Sequence, residues 1–224
     1  NRLGCHSGGF MSWNGTVCAD SRQGNACTRA ALDQLPETFW GLGSFDPTHY
    51  TPEQLASEIP KLYEDPRFIG MKPYHVHRVP YDSPLYAPWW EFGNKRGMYA
   101  LIHRVKPDFS EVLALAERYP RVHWVVAQCG GSYAVADMAI EATRQFPNIY
   151  AEITLTPVGL GVIDYLAKGC GVDRVLYGSD LPMRDPRQQL GWVVYSRLSY
   201  EEKALILGGN AQKLIQTVRH NLAL

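Results

Sequence analysis

The sequence predicts an α/β protein built on a parallel sheet. Three observations carry this reading: short apolar runs, helical patterns between them, and a fairly even alternation of the two along the chain. Six runs read as strands, at 40–45, 68–72, 99–103, 123–127, 149–153 and 175–178. Each is continuously apolar and bounded by Gly, Pro or Asp, as a strand covered on both faces should be. Six strands leave two architectures open. One is an open doubly wound sheet; the other is a barrel, which needs eight strands, with two lying elsewhere.

The helices follow from their start and stop signals. Thr51 is an N-cap candidate before Pro52-Glu53-Gln54, opening a helix through Leu55, Ile59 and Leu62. Further helices are expected from Ser110 to about Tyr119, over 133–146 with Pro147 closing it, over 160–167 and over 199–207. Gly208-Gly209 reads as a stop, with Asn210 capping a last helix through Leu214 and Val218. Residues 1–30 fit this scheme poorly and read as a long loop before a helix at about 25–35.

The chain has 224 residues, enough for one large domain spanning 1–224. Lys plus Arg equals Asp plus Glu at 22 each, so there is no basic stripe for nucleic acid and no polybasic run for an anionic membrane. No stretch approaches the roughly 20 apolar residues of a membrane span, and residues 1–5 lack the apolar core of a signal peptide. The five cysteines are odd in number and form no CxxC, which points to thiols in a reducing cytoplasm. The first residue is Asn, a hint that the chain starts inside a longer product. Neither GxGxxG nor GxxxxGK[ST] occurs, so dinucleotide and P-loop readings lack support.

The chemistry is expected where apolar strands stop. Asp180, in Gly178-Ser179-Asp180-Leu181, ends one strand and His103 ends another. A carboxylate there is badly solvated unless it meets a metal, a cation or a substrate proton. Such positions also hold the catalytic groups of parallel α/β barrels. Imidazole and carboxylate suit Zn, Fe or Mn, but a catalytic zinc site normally takes three protein ligands. Lys72 can bind a substrate carboxylate at its strand end. In an extended segment the rings of His75 and His77 would share a face and could supply metal ligands; the favoured reading is that both line a loop above the barrel mouth, one of them facing substrate. The Gln128 amide can orient a substrate. Cys129 reads as a small buried thiol or, more remotely, a nucleophile, and Glu152 as a second carboxylate or a satisfied ion pair. Arg104 and Arg184 flank two strand ends and can hold an anion.

From about Asn25 onward the chain resembles the amidohydrolase superfamily, in its amidohydrolase-related branch of metal-dependent hydrolases and decarboxylases. The resemblance is carried by Phe45-Asp46-Pro47, Phe68-Ile69-Gly70-Met71-Lys72, Leu101-Ile102-His103 and Val126-Ala127-Gln128-Cys129-Gly130-Gly131. It continues through Asn148-Ile149-Tyr150, Leu176-Tyr177-Gly178-Ser179-Asp180-Leu181-Pro182 and Gly209-Asn210-Ala211. It implies a (β/α)8 TIM-barrel-like fold, incomplete at the N-terminus, whose strands 3 to 8 are the six read above. It also implies His103 as a metal ligand ending the fifth strand, and Asp180 as ligand or general base ending the eighth.

Two departures stand out. The His-x-His pair that ends the family's first strand is absent, and residues 1–9 look like the stretch after the second strand. Gln128 stands where the sixth strand usually ends in histidine. The implied function is metal-dependent hydrolysis, or non-oxidative decarboxylation, of a small carboxylated compound, with a divalent metal, zinc by preference. Lys72, His75, Gln128 and Arg184 would contact substrate. The alternatives are a metal-independent lactonase-type hydrolase and a catalytically inactive interaction scaffold. A barrel missing a strand exposes unpaired backbone at the gap, which is one reason to expect a homo-oligomer.

Overall fold

The computed structural model describes residues 4–17, 20–103, 108–157 and 161–223. Cys18, Arg104 and the start of the helix expected from Leu160 lie outside these residues. One sheet organises the chain, with strands β1 (Gly8–Phe10), β2 (Phe39–Gly43), β3 (Phe68–Met71), β4 (Tyr99–Ile102), β5 (His123–Val126), β6 (Ile149–Glu152) and β7 (Val175–Leu176). They pair in parallel and in sequence order, β1 to β7. The result is an incomplete (β/α) barrel, seven strands curled with one seam open.

All six expected strands form. The seventh, β1, corrects the reading of residues 1–30 as loop. Its three residues, Gly-Gly-Phe, are too short and too glycine-rich to show an apolar run, yet they register against Phe39, Trp40 and Gly41. With Asp180 closing the eighth position, β1 occupies the second. The first position is the one without a strand among the described residues.

Helices α1 (Trp13–Val17), α2 (Ser21–Leu32), α3 (Pro52–Tyr63), α4 (Ala87–Arg96), α5 (Ser110–Arg118), α6 (Tyr133–Gln145), α7 (Val162–Cys170) and α8 (Pro186–Val194) connect the strands. The chain ends in α9 (Tyr200–Ala204) and α10 (Asn210–Ala223). Thr51 caps α3 as expected, in a full capping box with Gln54. The short α1 is held tightly on α2. Gly15 and Gly24 face each other so closely that a Cβ on either would overlap the other's Cα, and the Ser12 N–H donates to Thr28 Oγ1 at 2.9 Å. None of the described helices is long and apolar enough to cross a membrane.

Gly208 breaks the helical path as expected: its φ of 179° and ψ of −31° are non-helical and kink the chain between α9 and α10, after a π turn over Leu205–Gly209. Asn210 is not a cap, being helical itself at φ −69° and ψ −44°. The reason lies in the sheet. Successive residues of a parallel strand aim their backbone groups alternately at the two neighbours. Leu176 bonds toward β6, its carbonyl accepting from the Ile153 N–H at 3.1 Å, so Val175 and Tyr177 face the open seam. There the Asn210 side-chain amide donates to the carbonyls of Val172 and Val175 at 2.7 and 2.9 Å. The Tyr177 N–H donates to the Ile206 carbonyl of the π turn at 3.1 Å. The chain's own C-terminal helix thus satisfies the β7 edge.

Two apolar cores result. The larger lies between the sheet's outer face (Phe68, Met71, Ile102, Trp124, Val126, Ile149) and the surrounding helices. The smaller lies inside the curl, where Leu42, Ile69, Tyr99, Val125 and Leu176 are covered by Leu214, Ile215 and Val218 of α10. Bonds from Arg219 to the Glu37 carbonyl and from Asn221 to the Gly97 carbonyl, 3.2 and 3.3 Å, hold α10 across the N-terminal ends of the strands. Leu214→Ala removes a buried contact from this plug, and the expected loss of unfolding free energy is about 2–5 kcal/mol by chemical denaturation.

Candidate active site

With the bottom of the curl plugged, the open end is the C-terminal mouth. Side chains alternate along each strand, so the inward-facing Leu101, Tyr150 and Leu176 carry His103, Glu152 and Gly178 inward two residues on. Lys72 follows β3, its N–H donating to the Gly43 carbonyl at 2.8 Å. The mouth therefore collects Lys72, His103, Glu152 and Asp180 from four strand ends.

Lys72 and Glu152 are buried, at 4% and 5% exposure. Burial pulls the Lys72 ammonium down to about 8, against the opposing pull of the Glu152 and Asp180 carboxylates. Burial pushes Glu152 up to about 7, opposed by the Thr154 hydroxyl and N–H and by Lys72. Thr154 donates both groups to Glu152 Oε1, the N–H at 2.9 Å, while Oε2 is buried with no hydrogen-bond partner among the described residues. Asp180, in the left-handed region at φ 56°, is raised by burial and lowered by Arg184 and Lys72. The Arg184 N–H closes the turn onto the Asp180 carbonyl at 3.0 Å.

Gly178 makes this arrangement possible. A Cβ there would occupy the space of the Glu152 carboxylate and the Thr154 hydroxyl. Gly178→Ala should displace Glu152 and cost about 1–3 kcal/mol of stability, read by denaturant unfolding.

The histidine pair lies in a loop segment with one ring turned to the mouth, and not in the extended segment that would have put both rings on one face. Residues His75–His77 form a 3-10 turn rather than an extended segment, so the rings part. His75 turns to the mouth and stacks on His103, ring centroids 4.4 Å apart and 22° from parallel. Its imidazole is held below the usual histidine range by burial and by Lys72. His77 is buried elsewhere, Nδ1 lying 3.3 Å from the Tyr86 hydroxyl. Gln128 stands at the left-handed turn after β5, φ 65°, and its amide makes no hydrogen bond to the lysine–carboxylate group among the described residues. Cys129 is fully buried and its thiol donates to the Val126 carbonyl at 3.1 Å, as a structural thiol does.

Two mouth residues were not picked out from sequence. Tyr74 lies between the lysine and the histidines: Lys72 Nζ is 5.5 Å from its ring centroid, His75 4.4 Å and His103 5.3 Å. Trp13, from α1, stands edge-on to Tyr74 at 6.3 Å.

A divalent metal was tested against these donors. His103 and Asp180 offer an imidazole and a carboxylate, but no three His, Cys, Asp or Glu side chains converge to hold an ion among the described residues. A further carboxylate, Glu152, is bonded by Thr154 through Oε1 only, and its electrostatic partner is the Lys72 ammonium. The described donors do not by themselves fit a resident metal ion.

A family model described as Amidohydrolase matches residues 5–216. No curated protein matches the sequence significantly. Among solved structures, an uncharacterised TIM-barrel protein from Bordetella bronchiseptica is 18% identical with a TM-score of 0.74, over 95% of this chain and 78% of that one. The 5-carboxyvanillate decarboxylase from Sphingomonas paucimobilis is 19% identical with a TM-score of 0.68, over 89% and 73%. A dihydroxybenzoic acid decarboxylase from Polaromonas, solved with manganese and 2-nitroresorcinol, is 19% identical with a TM-score of 0.63, over 91% and 79%. Those structures share the fold, and the family model spans nearly the whole sequence: the chain belongs to the amidohydrolase family.

Proposed function

We propose that this protein is a hydrolase or non-oxidative decarboxylase of a small carboxylated compound, working at the C-terminal mouth of its incomplete barrel. The observation that carries the proposal is Lys72, a buried ammonium at a strand end beside two carboxylates. Away from water an ammonium attracts an anion far more strongly than at the surface. A substrate carboxylate binds Lys72, while His75 and Arg184 hold its rim-side polar group and Gln128 borders the far side.

Asp180 moves the proton. Its raised carboxyl exchanges protons closer to neutrality than an ordinary aspartate. In hydrolysis the carboxylate accepts a proton from the attacking water as the new carbon–oxygen bond forms, and then returns that proton to the leaving oxygen or nitrogen as its bond to the same carbon breaks. In decarboxylation the carbon–carbon electron pair stays on the substrate carbon, CO2 departs, and the protonated Asp180 delivers a proton to that carbon. The Polaromonas enzyme was solved with manganese; a divalent ion here would find an imidazole at His103 and a carboxylate at Asp180 among the described donors, which alone do not make a tight site. A homo-oligomer is part of the proposal, supported by β1 lying at the other end of the open sheet.

A metal-independent lactonase-type reaction is the second reading. It is favoured by the ammonium already facing Glu152 and Asp180, and by Gln128 in place of a histidine donor. The deciding experiment combines metal content by plasma mass spectrometry with turnover of dihydroxybenzoates and small lactones, with and without added manganese or zinc. About one metal per chain in wild type, lost in His103→Ala, together with metal-dependent turnover, supports the first reading. Lactone turnover unaffected by chelation supports the second. No turnover of either class under any condition rejects both and leaves a scaffold.

A further inference from the structure

We propose that Tyr81 is a positioning residue: from within the core it sets where His103 stands at the end of β4 and ties the His75 turn to it. The inference rests on the reading of His103 as a working residue of the mouth and adds what holds it in place.

Tyr81 is 1% exposed, and each of its three polar groups reaches a different element. Its N–H donates to the Glu111 carboxylate of α5, and its carbonyl accepts from the Trp90 indole N–H of α4 at 2.7 Å. Its hydroxyl donates to the His103 carbonyl at 3.0 Å. The two groups that hold the Tyr81 backbone are themselves fixed. Glu111 is buried, and Trp90 stacks on Trp89 and Tyr86 at 5.4 and 5.5 Å and meets Trp124 edge-on at 5.2 Å.

The bond to His103 falls where the sheet stops. The Ile102 carbonyl accepts from the Ala127 N–H at 2.9 Å, toward β5, so the next carbonyl, that of His103, faces the β3 side. There the ladder has ended, its last pair being Met71 and Ala100, and the Tyr81 hydroxyl supplies the donor. The peptide unit is planar, so fixing this carbonyl fixes the torsion about the His103 Cα–C bond and with it the direction in which the side chain leaves. The imidazole itself is stacked by His75 at 4.4 Å. The segment from His75 to Tyr81 therefore grips one residue at both ends, by its ring and by its carbonyl. Burial, Tyr86, Glu111 and Tyr74 all raise the Tyr81 phenol, so it stays protonated, and a donor, throughout neutral pH. Phenylalanine would fill the same space, so the hydroxyl is accounted for by this bond.

The test is NMR of the histidine rings in the full chain, wild type beside Tyr81→Phe and Tyr86→Phe, with signals assigned from His75→Gln, His77→Gln and His103→Gln. Tyr86→Phe is the control, because it removes an equally buried hydroxyl that lies 3.3 Å from His77 Nδ1. Tyr81→Phe should shift the His103 and His75 signals together and leave His77 in place, and Tyr86→Phe should do the reverse. On a substrate found by the turnover screen, Tyr81→Phe should lower kcat by about 10- to 100-fold with KM within about twofold of wild type, the usual loss when a group supporting a site residue is removed. Unmoved His103 and His75 signals overturn the proposal, and so does a shift that Tyr86→Phe reproduces, since that is general loosening of the core. A shift without loss of kcat also overturns it. If His103→Ala turns over as fast as wild type, the reading of His103 falls, and the role of Tyr81 falls with it whatever the ring signals show. Should Tyr81→Phe not fold, the wild-type protein decides: a nuclear Overhauser contact between the Tyr81 phenol and the His103 backbone is expected, and its absence refutes the bond.

Discussion

Asp180→Asn is expected to lower turnover by about 10²- to 10⁴-fold with little change in substrate affinity. That is the span general acid–base groups usually contribute. The amide preserves size and most hydrogen-bonding capacity, so the left-handed turn at φ 56° and the Arg184 bond to the Asp180 carbonyl should survive. What disappears is the exchangeable proton. Steady-state kinetics on any substrate found by the turnover screen provide the check: a kcat within twofold of wild type would remove Asp180 from the chemistry.

Lys72 should show the second large effect, in binding rather than chemistry. Lys72→Met is expected to raise KM by about a hundredfold or more, since a buried charge-assisted contact is lost outright. The pH dependence has a definite sign. Lys72 holds its proton below about 8, so affinity for a carboxylate should decline as pH rises through that value. Lys72→Arg should extend the alkaline limb upward, because guanidinium stays protonated.

Stability should move the other way. The ammonium is disfavoured in the fold, its folded pKa lying below the ordinary lysine value of 10.5. Its stability contribution is therefore present above 10.5 and lost as pH falls through about 8. At pH 6, where Glu152 with its value of about 7 is mostly protonated, Lys72→Met should unfold at a free energy about 1 kcal/mol or more above wild type. A variant that loses both binding and stability would mean that the carboxylates need the ammonium for folding.

Much of this was legible in the sequence, for identifiable reasons. Strands β2 to β7 announce themselves because strands covered on both faces leave unbroken apolar runs. Lys72, His103 and Asp180 are visible because a polar residue ending such a run needs an explanation. β1 is hidden because Gly-Gly-Phe carries no periodicity. The role of α10 is hidden because an amphipathic pattern tells which side of a helix is apolar, not whether that side meets the outer or inner face of a sheet. The parting of His75 and His77 depends on a single 3-10 turn; the loop reading, with one ring turned to the mouth, is consistent with it, whereas an extended segment would have kept both rings on one face. Trp13 and Tyr74 lie far apart in sequence, so only the crossing of α1 over α2 brings them together. Glu152 was ambiguous between ion pair and active carboxylate, and its geometry next to Gly178 is not encoded in either residue alone.

The amide of Asn210 and the carbonyl of Ile206 occupy the same backbone positions on β7 that a first barrel strand would claim. The edge that an open sheet would leave ready to pair with another chain is thereby blunted from within. A strand pairing at Val175 and Tyr177 would have to displace two hydrogen bonds, from the Asn210 amide to the Val175 carbonyl and from the Tyr177 N–H to the Ile206 carbonyl. The helix that plugs the barrel thus also guards one edge of the sheet against edge-to-edge association.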